Sequence, residues 1–366
     1  MKKVKILGAG SIGNHLAHAC RTKGWSVLIC DIDKKALERT KNDIYPSRYG
    51  VWDPKIRLSL LKEAPKEHFD IVIVGTPPDT HLDLALEILR EEKPQILLIE
   101  KPLCTPSLKN AQTLFELSKK SDTTVLVGYN HVLAKSTIKV EGLLNENKIG
   151  QFITMNGGFN EHWGGIFKAH PWLAGPHETY LGFTERGGGA SGEHSHAINI
   201  WQHFARVLGI GRINEVSAFM DFIEEGTASY DRICNLNVKT EKGFLGQISQ
   251  DVIAQPTKKY IYIQGDNGFI EWRVNKYPGS DAIISQCKES GIHEITFPKT
   301  RPDDFKVEIE HINEIIKGEI PETPISLERG LDTMMVVAAA NISHQNKRIM
   351  TIDYNSDYRL DSIKPL

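Results

Sequence analysis

The first third of the chain alternates short apolar runs with amphipathic segments. Runs such as VKILGAG (4–10) and DIVIVGTPP (70–78) are rich in β-branched residues, and between such runs lie stretches such as DTHLDLALEILREEK (79–93). Near-continuous hydrophobic strands separated by helices indicate a parallel sheet that is covered on both faces. We therefore predict a doubly wound α/β domain over residues 1–130.

After Asn130 the pattern changes to longer strand-like runs, such as KKYIYIQGDNGFIEWRV (258–274). The tetrapeptides TEKG (240–243) and GDNG (265–268) are hairpin signals, so neighbouring strands should be antiparallel. Helical patterns return near the end of the chain. We predict a second, α+β domain over residues 131–366.

Composition excludes several classes of partner. The 366 residues are 40% hydrophobic and 25% charged, and 44 Lys and Arg against 46 Asp and Glu give a formal net charge of -2. The chain has no excess of positive charge that would attract nucleic acid or an anionic membrane surface. The longest apolar run, MMVVAAA (334–340), is far shorter than the ~20 residues of a membrane span. We expect a cytoplasmic protein whose partner is a small molecule.

The cysteines give no sign of a disulfide framework or a zinc ribbon. They are odd in number and form no C-x-x-C pair, which fits a reducing compartment. They are Cys20, Cys30, Cys104, Cys234 and Cys287. We expect Cys104, which lies close to the motifs described below, to be a buried spectator.

The stretch GAGSIG (8–13) has the spacing G-x-G-x-x-G and lies between the first predicted strand and a helix. In that context the first glycine allows a tight turn, the second lets the backbone approach a pyrophosphate, and the third allows close helix–sheet packing. Asp31, which ends the second predicted strand, can accept bonds from the adenosine ribose and repels a 2′-phosphate. We expect NAD as the cofactor, with NADP less favoured. The predicted contacts in this turn are Gly8, Gly10, Ser11, Ile12 and Gly13.

Three further motifs follow in order: VGTPPDTHLDLAL (74–86), LIEKPL (98–103) and GGGASGEHSHAIN (187–199). Together with the glycine-rich turn they resemble the Gfo/Idh/MocA family of NAD(P)-dependent oxidoreductases, and the resemblance covers essentially the whole chain. It implies that the second domain carries an open, mostly antiparallel mixed sheet, and that the protein is a homodimer or homotetramer. It also implies further cofactor contacts at Thr76, Pro77, His81, Glu100, Lys101 and Asn130.

The same resemblance assigns the catalytic groups. Lys101 would reach the nicotinamide ribose and the reacting oxygen of the substrate, and the peptide before Pro102 would be cis. His196 would be the acid/base, since the pKa of a histidine, ~6.5, lies near working pH. Glu193, in place of the aspartate usual in the family, could orient His196, bind a substrate hydroxyl or carry the proton itself.

Glu193, His194 and His196 could instead be ligands of a divalent cation, or ordinary packing residues. If a helix begins near Gly192, Glu193 and His196 share a face as an i, i+3 pair and His194 points elsewhere. That geometry favours proton transfer over chelation, so we expect no metal.

The segment NEHWGGIFKAHPWLAGPHETYLGFTER (160–186) concentrates aromatic and basic residues among glycines and prolines. Aromatic faces with a few polar groups suit a polyhydroxylated ring. The alternative is a structured loop whose aromatics pack beneath it. Our predicted substrate contacts are Lys101, His162, Trp163, Lys168, Arg186, Glu193 and His196.

The sequence thus predicts an NAD-dependent dehydrogenase that acts on a secondary hydroxyl of a sugar, sugar acid or nucleotide-sugar. Two alternatives stay open. One is glycosidic cleavage through transient oxidation, without net NADH. The other is a non-catalytic NAD-binding regulator.

Overall fold

The first half of the chain forms a parallel six-stranded sheet. A computed structural model describes residues 1–288 and 290–366 of the chain. The sheet has the order β3-β2-β1-β4-β5-β6, and every neighbouring pair is parallel. Its strands are β1 (Lys3–Leu7), β2 (Ser26–Asp31), β3 (Ile56–Leu60), β4 (Ile71–Val74), β5 (Ile96–Ile99) and β6 (Thr124–Val127). The predicted doubly wound domain is confirmed.

Helices connect these strands, and the strand order reverses between β1 and β4. They are α1 (Ser11–Thr22), α2 (Lys34–Arg39), α3 (Tyr45–Tyr49), α4 (Pro78–Glu91) and α5 (Ala111–Lys119). A π-helical turn at Thr40–Ile44 joins α2 to α3. Ligands of doubly wound folds bind at the carboxyl ends of the strands, at the point where the order reverses. The glycine-rich turn after β1 lies at that point.

The second half forms a mixed ten-stranded sheet within the described residues, in the order β14-β13-β12-β11-β7-β10-β9-β8-β15-β16. All its neighbouring pairs are antiparallel except β7 with β10. The strands are β7 (Phe152–Asn160), β8 (Ile213–Glu225), β9 (Ala228–Thr240), β10 (Leu245–Asp251), β11 (Lys258–Gly265), β12 (Gly268–Tyr277), β13 (Ser280–Cys287), β14 (His293–Pro298), β15 (Met350–Ile352) and β16 (Ile363–Pro365). The two predicted hairpins join β9 to β10 and β11 to β12. The open, mostly antiparallel sheet is therefore confirmed.

The helices of the second half are α6 (Lys135–Asn145), α7 (Gly164–Lys168), α8 (Gly189–Glu193), α9 (His196–Val207), α10 (Arg301–Ile316) and α11 (Leu327–Asn346). The long apolar helix α11 is buried along most of its length and packs against β8 and α9. Ser326 caps it by accepting a bond from the Arg329 amide. None of the helices in the described ranges combines the length and apolar character that crossing a membrane requires.

The two halves interlock rather than merely adjoin. Helix α10 packs against α1, and the Val127 amide of β6 donates to the Ile325 carbonyl, just before α11. The first sheet ends at Val127 and the second begins at Phe152, so the predicted division at residue 130 falls between the sheets. That division stays a prediction, because α10 and the segment before α11, which follow residue 130, pack against the first domain.

Candidate active site

The glycine-rich turn is packed by protein on two sides and open on the third. Gly8 has φ +107°, and a Cβ there would lie 2.5 Å from the Gly75 carbonyl oxygen. A Cβ on Gly13 would lie 2.2 Å from the Gly8 carbonyl oxygen, whereas one on Gly10 would meet nothing within 4 Å. The turn thus presents bare backbone at the start of α1, where amide groups favour an anion. These residues fit a dinucleotide pyrophosphate.

Two side chains brace this turn. Asp31 accepts the Ala9 amide at 2.8 Å, so the acidic group at the end of β2 lies beside the turn, and its contact with the ribose stays a prediction. Arg48 of α3 donates to the carbonyl oxygen and the hydroxyl of Ser11, at 2.9 and 2.7 Å. The predicted contact Ile12 packs partly against the core. Sequence reasoning missed Arg48, because it lies 37 residues from Ser11 behind a π-helical turn.

The turns after β4 and β5 are tied together by His81. Its side chain is buried, and its two ring nitrogens face the carbonyl oxygens of Thr76, at 2.6 Å, and Pro102, at 3.1 Å. The peptide between Lys101 and Pro102 is cis, as expected. His81 thus supports the turns bearing Thr76, Pro77 and Lys101, and its predicted contact with the cofactor stays a prediction.

Lys101 joins the two halves of the chain. Its Nζ lies 3.0 Å from Oε2 of Glu193 and donates to the Glu193 carbonyl oxygen, also at 3.0 Å. Both side chains are largely shielded from solvent, with 14% and 17% exposure. The structure therefore brings together two of the three predicted catalytic residues.

Glu100 lies behind Lys101 in a dry position. Burial raises the pKa of its carboxyl to about 7, and the neighbouring Lys101 opposes that shift. Oε1 has no hydrogen-bond partner in the part of the chain that the structure describes. A Cβ on Gly128 would lie 2.8 Å from that oxygen, so only glycine leaves room for the carboxyl there. The predicted contact Asn130 follows two residues later.

The prediction that one helix begins near Gly192 and carries both Glu193 and His196 is wrong. Helix α8 ends at Glu193, and α9 begins at His196, with a break at residues 194–195. Glu193 and His196 therefore do not form an i, i+3 pair on one helix, and Glu193 is bonded to Lys101 instead. Helix α8 is held to β9 from the side.

That attachment is made by Asp231, which sequence reasoning missed. Its carboxylate accepts the Ser191 amide at 2.7 Å and the Thr184 hydroxyl at 2.8 Å. A Cβ on Gly189 would lie 2.0 Å from its Oδ1, so the glycines of this turn make room for the carboxylate. Burial raises the pKa of Asp231 to about 7. Asp231 fixes the end of α8 and hence Glu193.

His196 lies in a box of aromatic rings. Its ring centroid is 4.6 Å from that of His131, 5.4 Å from that of Tyr129 and 6.2 Å from that of Phe159. Burial, reinforced by His131 and Lys101, lowers the pKa of His196 well below its usual value, so the ring is neutral near neutral pH. Its Nδ1 is shielded and has no hydrogen-bond partner among the described residues. The pKa of His196 is therefore not near working pH as expected from an ordinary histidine, and burial makes this neutral imidazole a weaker base than a free one.

His194 belongs to the interior. It is 3% exposed, and burial lowers its pKa to about 3. Over residues 1–288 and 290–366, no group of three or more His, Cys, Asp or Glu side chains is arranged to hold a metal ion. The side-chain amide of Asn199 donates to the Thr333 hydroxyl at 3.1 Å.

The segment 160–186 crosses from the second sheet to the first domain. It consists of α7 and three single turns of 3₁₀-helix, and it docks at two points. The Trp172 ring lies 4.9 Å from the Arg39 guanidinium, and Arg186 donates to Asp79 at 2.8 Å. We call residues 160–186 the strap.

The predicted substrate contacts in the strap lie in different environments. Trp163 is buried and packs on Tyr230, with ring centroids 4.7 Å apart. Arg186 is engaged by Asp79, while His162 and Lys168 are exposed. The packing alternative therefore describes Trp163, and the exposed pair stays a prediction.

Comparisons with known proteins agree with this architecture. Residues 2–129 match the model of the GFO_IDH_MocA oxidoreductase family, NAD-binding Rossmann fold. A search of curated protein sequences finds no match.

Solved structures share the whole fold. An oxidoreductase from Agrobacterium radiobacter in complex with NAD+, L-tartaric acid and magnesium is 19% identical, with a TM-score of 0.75 over 96% of this chain and 98% of the other. Levoglucosan dehydrogenase in complex with NADH and levoglucosan is 16% identical, with a TM-score of 0.76 over 96% and 99%. The WlbA dehydrogenase from Bordetella pertussis in complex with NADH and UDP-GlcNAcA is 15% identical, with a TM-score of 0.72 over 96% and 99%. At identities this low, the likeness of these structures establishes a shared fold alone. Residues 2–129 of this chain are thus similar to the NAD-binding Rossmann domain of the Gfo/Idh/MocA oxidoreductase family.

Proposed function

We propose that the protein is an NAD-dependent dehydrogenase that oxidises a secondary hydroxyl of a sugar, sugar acid or nucleotide-sugar to a ketone, or reduces that ketone to the hydroxyl. The observation that carries this proposal is the ion pair of Lys101 with Glu193, at 3.0 Å, beside the carboxyl ends of the parallel strands. A cation from the first domain and a carboxylate from the second thus meet where the fold binds dinucleotides. The neutral His196 lies three residues from Glu193.

In this proposal the chain's own groups handle the oxygen and its proton. NAD, when bound, supplies the hydride acceptor. Lys101 places its positive charge where negative charge develops on the substrate oxygen, which stabilises the transition state. His196, neutral before reaction, takes the hydroxyl proton during oxidation and returns it during reduction. Glu193 keeps Lys101 in position and can accept a bond from a neighbouring substrate hydroxyl.

The preference for NAD over NADP rests on Asp31. Its carboxylate lies at the end of β2, fixed by the Ala9 amide, where a ribose 2′-phosphate would meet a like charge. Ile32, which follows it, is 85% exposed and offers an apolar surface next to the same site. Both features suit an unphosphorylated ribose.

Carbohydrate substrates are supported by the relatives' ligands. Levoglucosan and UDP-GlcNAcA are bound by two of the structures with the same fold, and L-tartaric acid by a third. The strap presents His162 and Lys168 to solvent, and Lys168 would be suited to bind an acidic group of a substrate.

We also infer that the protein forms a homodimer or homotetramer through the outer face of its large sheet. Phe219 of β8 and Leu245 of β10 are 73% and 61% exposed there. Exposed apolar side chains on a sheet face are typical of a surface that another chain covers.

A second candidate is glycosidic cleavage by transient oxidation and re-reduction, without net NADH. The strap favours it, since contacts with Arg39 and Asp79 on two helices of the first domain would hinder exchange of the cofactor. A protein that keeps its NAD can return the hydride within one turnover.

One assay separates the candidates. The purified protein is incubated with NAD and a panel of sugars, sugar acids, glycosides and nucleotide-sugars, while NADH absorbance and product mass are followed together. We expect NADH in proportion to a ketone product. Product without NADH would favour cleavage, and NAD binding without turnover on any compound would favour a regulator.

A further inference from the structure

An arginine without an acidic partner lies beside the glycine-rich turn. The half-buried guanidinium of Arg48 donates to the carbonyl oxygen and to the hydroxyl of Ser11, at 2.9 and 2.7 Å. Ser11 directly follows Gly10, where a Cβ would meet nothing within 4 Å. No Asp or Glu among the described residues forms an ion pair with Arg48, so the protein does not neutralise its charge.

The π-helical turn between α2 and α3 fixes the segment that carries Arg48. Thr40 opens that turn and donates its hydroxyl to the Ala9 carbonyl oxygen. The Asn14 side chain donates to the Thr40 hydroxyl at 3.1 Å and to the Gly10 carbonyl oxygen at 2.8 Å. Turns of this kind are frequent at functional sites. The fold therefore ties the chain that leads to Arg48 directly to the glycine-rich turn.

A second arginine of the same segment also lacks an acid. Arg39 ends α2, and its guanidinium lies 4.9 Å from the Trp172 ring of the strap. Its Nε is shielded and has no hydrogen-bond partner in the part of the chain that the structure describes. Arg57 of β3, by contrast, pairs with Glu67 at 2.7 Å. Positive charge is thus left unmatched on the α2–α3 segment, where the strap meets the first domain.

Helix α10 brings further positive charge to this region. The Arg301 guanidinium lies 5.3 Å from the Phe305 ring, and that ring stacks on His15 of α1 with centroids 4.7 Å apart. Nδ1 of His15 lies 2.5 Å from the hydroxyl oxygen of Tyr49, the neighbour of Arg48. Burial, reinforced by Arg48 and Arg301, lowers the pKa of His15 to about 3, so this histidine adds no charge of its own.

An anion would compensate this charge. Arginines stay protonated at neutral pH, so they cannot relieve their repulsion by losing a proton. Burial and the charge of Arg301 lower the pKa of Arg48, which indicates that the protein compensates its charge poorly. The forked guanidinium matches the oxygens of a phosphate group. Ser11 occupies only part of that fork, and the remaining N–H donors are available to a ligand.

We propose that Arg48 is a cofactor-binding residue whose guanidinium pairs with the pyrophosphate of the dinucleotide, while its bonds to Ser11 hold it in place. This role rests on the proposed function, because it requires that NAD binds at the glycine-rich turn. In dinucleotide-binding folds, amide groups at a helix N-terminus already face the pyrophosphate. They supply a partial charge, whereas Arg48 supplies a full one.

Ligands that differ in their phosphates test this pairing. Titration calorimetry measures the binding of NADH, ADP-ribose and adenosine to the wild type, to Arg48→Gln and to the control Arg57→Gln. The glutamine can still donate to Ser11 but carries no charge. Arg48→Gln should bind NADH and ADP-ribose about 10- to 100-fold more weakly, because a charged hydrogen bond is lost, and adenosine within about twofold of the wild type. Arg57→Gln should bind all three ligands as the wild type does.

Salt and a conservative variant separate charge from shape. Raising the salt concentration from about 0.05 to about 0.5 M shortens the range of electrostatic attraction. It should therefore weaken NADH binding by the wild type more than by Arg48→Gln. Arg48→Lys, which keeps the charge but not the fork, should recover part of the affinity and of the salt dependence. If Arg48 merely supported the turn, Arg48→Gln would keep the salt dependence of the wild type.

The proposal and the proposed function fail in different ways. Unchanged NADH affinity in Arg48→Gln, or equal losses for NADH and adenosine, would overturn the role of Arg48 and leave the dehydrogenase standing. A wild type that binds neither NADH nor ADP-ribose would contradict the cofactor of the proposed function. If Arg48→Gln does not fold, Arg48→Met, which keeps the apolar stem of the side chain, takes its place with the same expected losses.

Discussion

The chain contains two glycine-rich turns that lead into helices, and they are built for opposite purposes. In the turn at residues 8–13, Gly10 faces open space, and a Cβ there would touch nothing within 4 Å. In the turn at residues 187–192, every gap is filled: a Cβ on Gly188 would lie 2.2 Å from the Tyr180 carbonyl oxygen, and one on Gly192 2.1 Å from that of Gly187. The first turn leaves room for a ligand, and the second makes room for protein.

Each turn is also held by an aspartate that accepts a backbone amide. Asp31 accepts the Ala9 amide at 2.8 Å and stays half-exposed, whereas Asp231 accepts the Ser191 amide at 2.7 Å and is fully buried. The exposed acid can therefore also meet a cofactor, while the buried one can only position α8. A glycine-rich sequence indicates that the backbone lies close to another group. The surrounding structure shows whether that group is protein or leaves room for a ligand.

The largest effect is expected where the two regions meet, at Lys101. Lys101→Ala removes the positive charge next to the developing oxyanion and should lower kcat by about 10²–10³-fold. Affinity for NADH should stay within about tenfold, because the glycine-rich turn and Asp31 are intact. Single-turnover kinetics with an active substrate measure the first effect, and fluorescence titration measures the second.

Lys109→Ala, which removes an exposed lysine a few residues later, is the matched control. Near-normal hydride transfer in Lys101→Ala would remove Lys101 from the site. A loss shared with Lys109→Ala would point to general damage instead.

A pair of alanine substitutions separates the two turns directly. Neither Gly10 nor Gly192 has positive φ, so only space distinguishes them. Gly192→Ala forces a methyl against a backbone carbonyl and should lower the free energy of unfolding by about 1–3 kcal/mol. Gly10→Ala should leave stability within about 0.5 kcal/mol but weaken NADH binding about tenfold or more, because the methyl occupies the approach to the pyrophosphate.

Thermal unfolding and NADH titration of both variants check this crossed pattern. If Gly10→Ala destabilised the fold as much as Gly192→Ala, the first turn would not have open space at Gly10. If Gly10→Ala bound NADH normally, the pyrophosphate would have to lie elsewhere.

The difference between the turns also marks the reach of sequence reasoning. The fold could be predicted because hydrophobic periodicity is local, and Lys101 and Glu193 could be predicted because they lie in recognisable motifs. The break between α8 and α9 could not be predicted, and neither could the bond from the Ser191 amide to Asp231, because these residues lie 40 positions apart. Arg48 and His131 could not be predicted for the same reason, because Arg48 contacts Ser11 and His131 contacts His196, and both partners are remote in sequence.

The last two predictions concern the charge of each aspartate. The folded-state pKa of Asp231, about 7, lies above the ~3.9 of an unfolded aspartate. Its contribution to stability is therefore complete below about pH 4 and is lost as the pH rises through about 7. The wild type loses this contribution as the pH rises, and Asp231→Asn does not. The unfolding free energy of Asp231→Asn minus that of the wild type should therefore increase by about 1–3 kcal/mol when the pH is raised from about 5 to about 8.

Asp31→Asn should act on the cofactor rather than on the fold. Its amide oxygen can still accept the Ala9 amide, but the charge that opposes a 2′-phosphate is gone. The affinity for NADPH relative to NADH should rise roughly five- to tenfold, since charges ~4 Å apart in water interact by about 1 kcal/mol. Titration of both variants with both cofactors makes each the control for the other, because Asp231→Asn should leave the NADPH to NADH ratio unchanged. A selectivity change in Asp231→Asn, or none in Asp31→Asn, would mean that the buried and exposed aspartates are not divided between protein and ligand as their surroundings indicate.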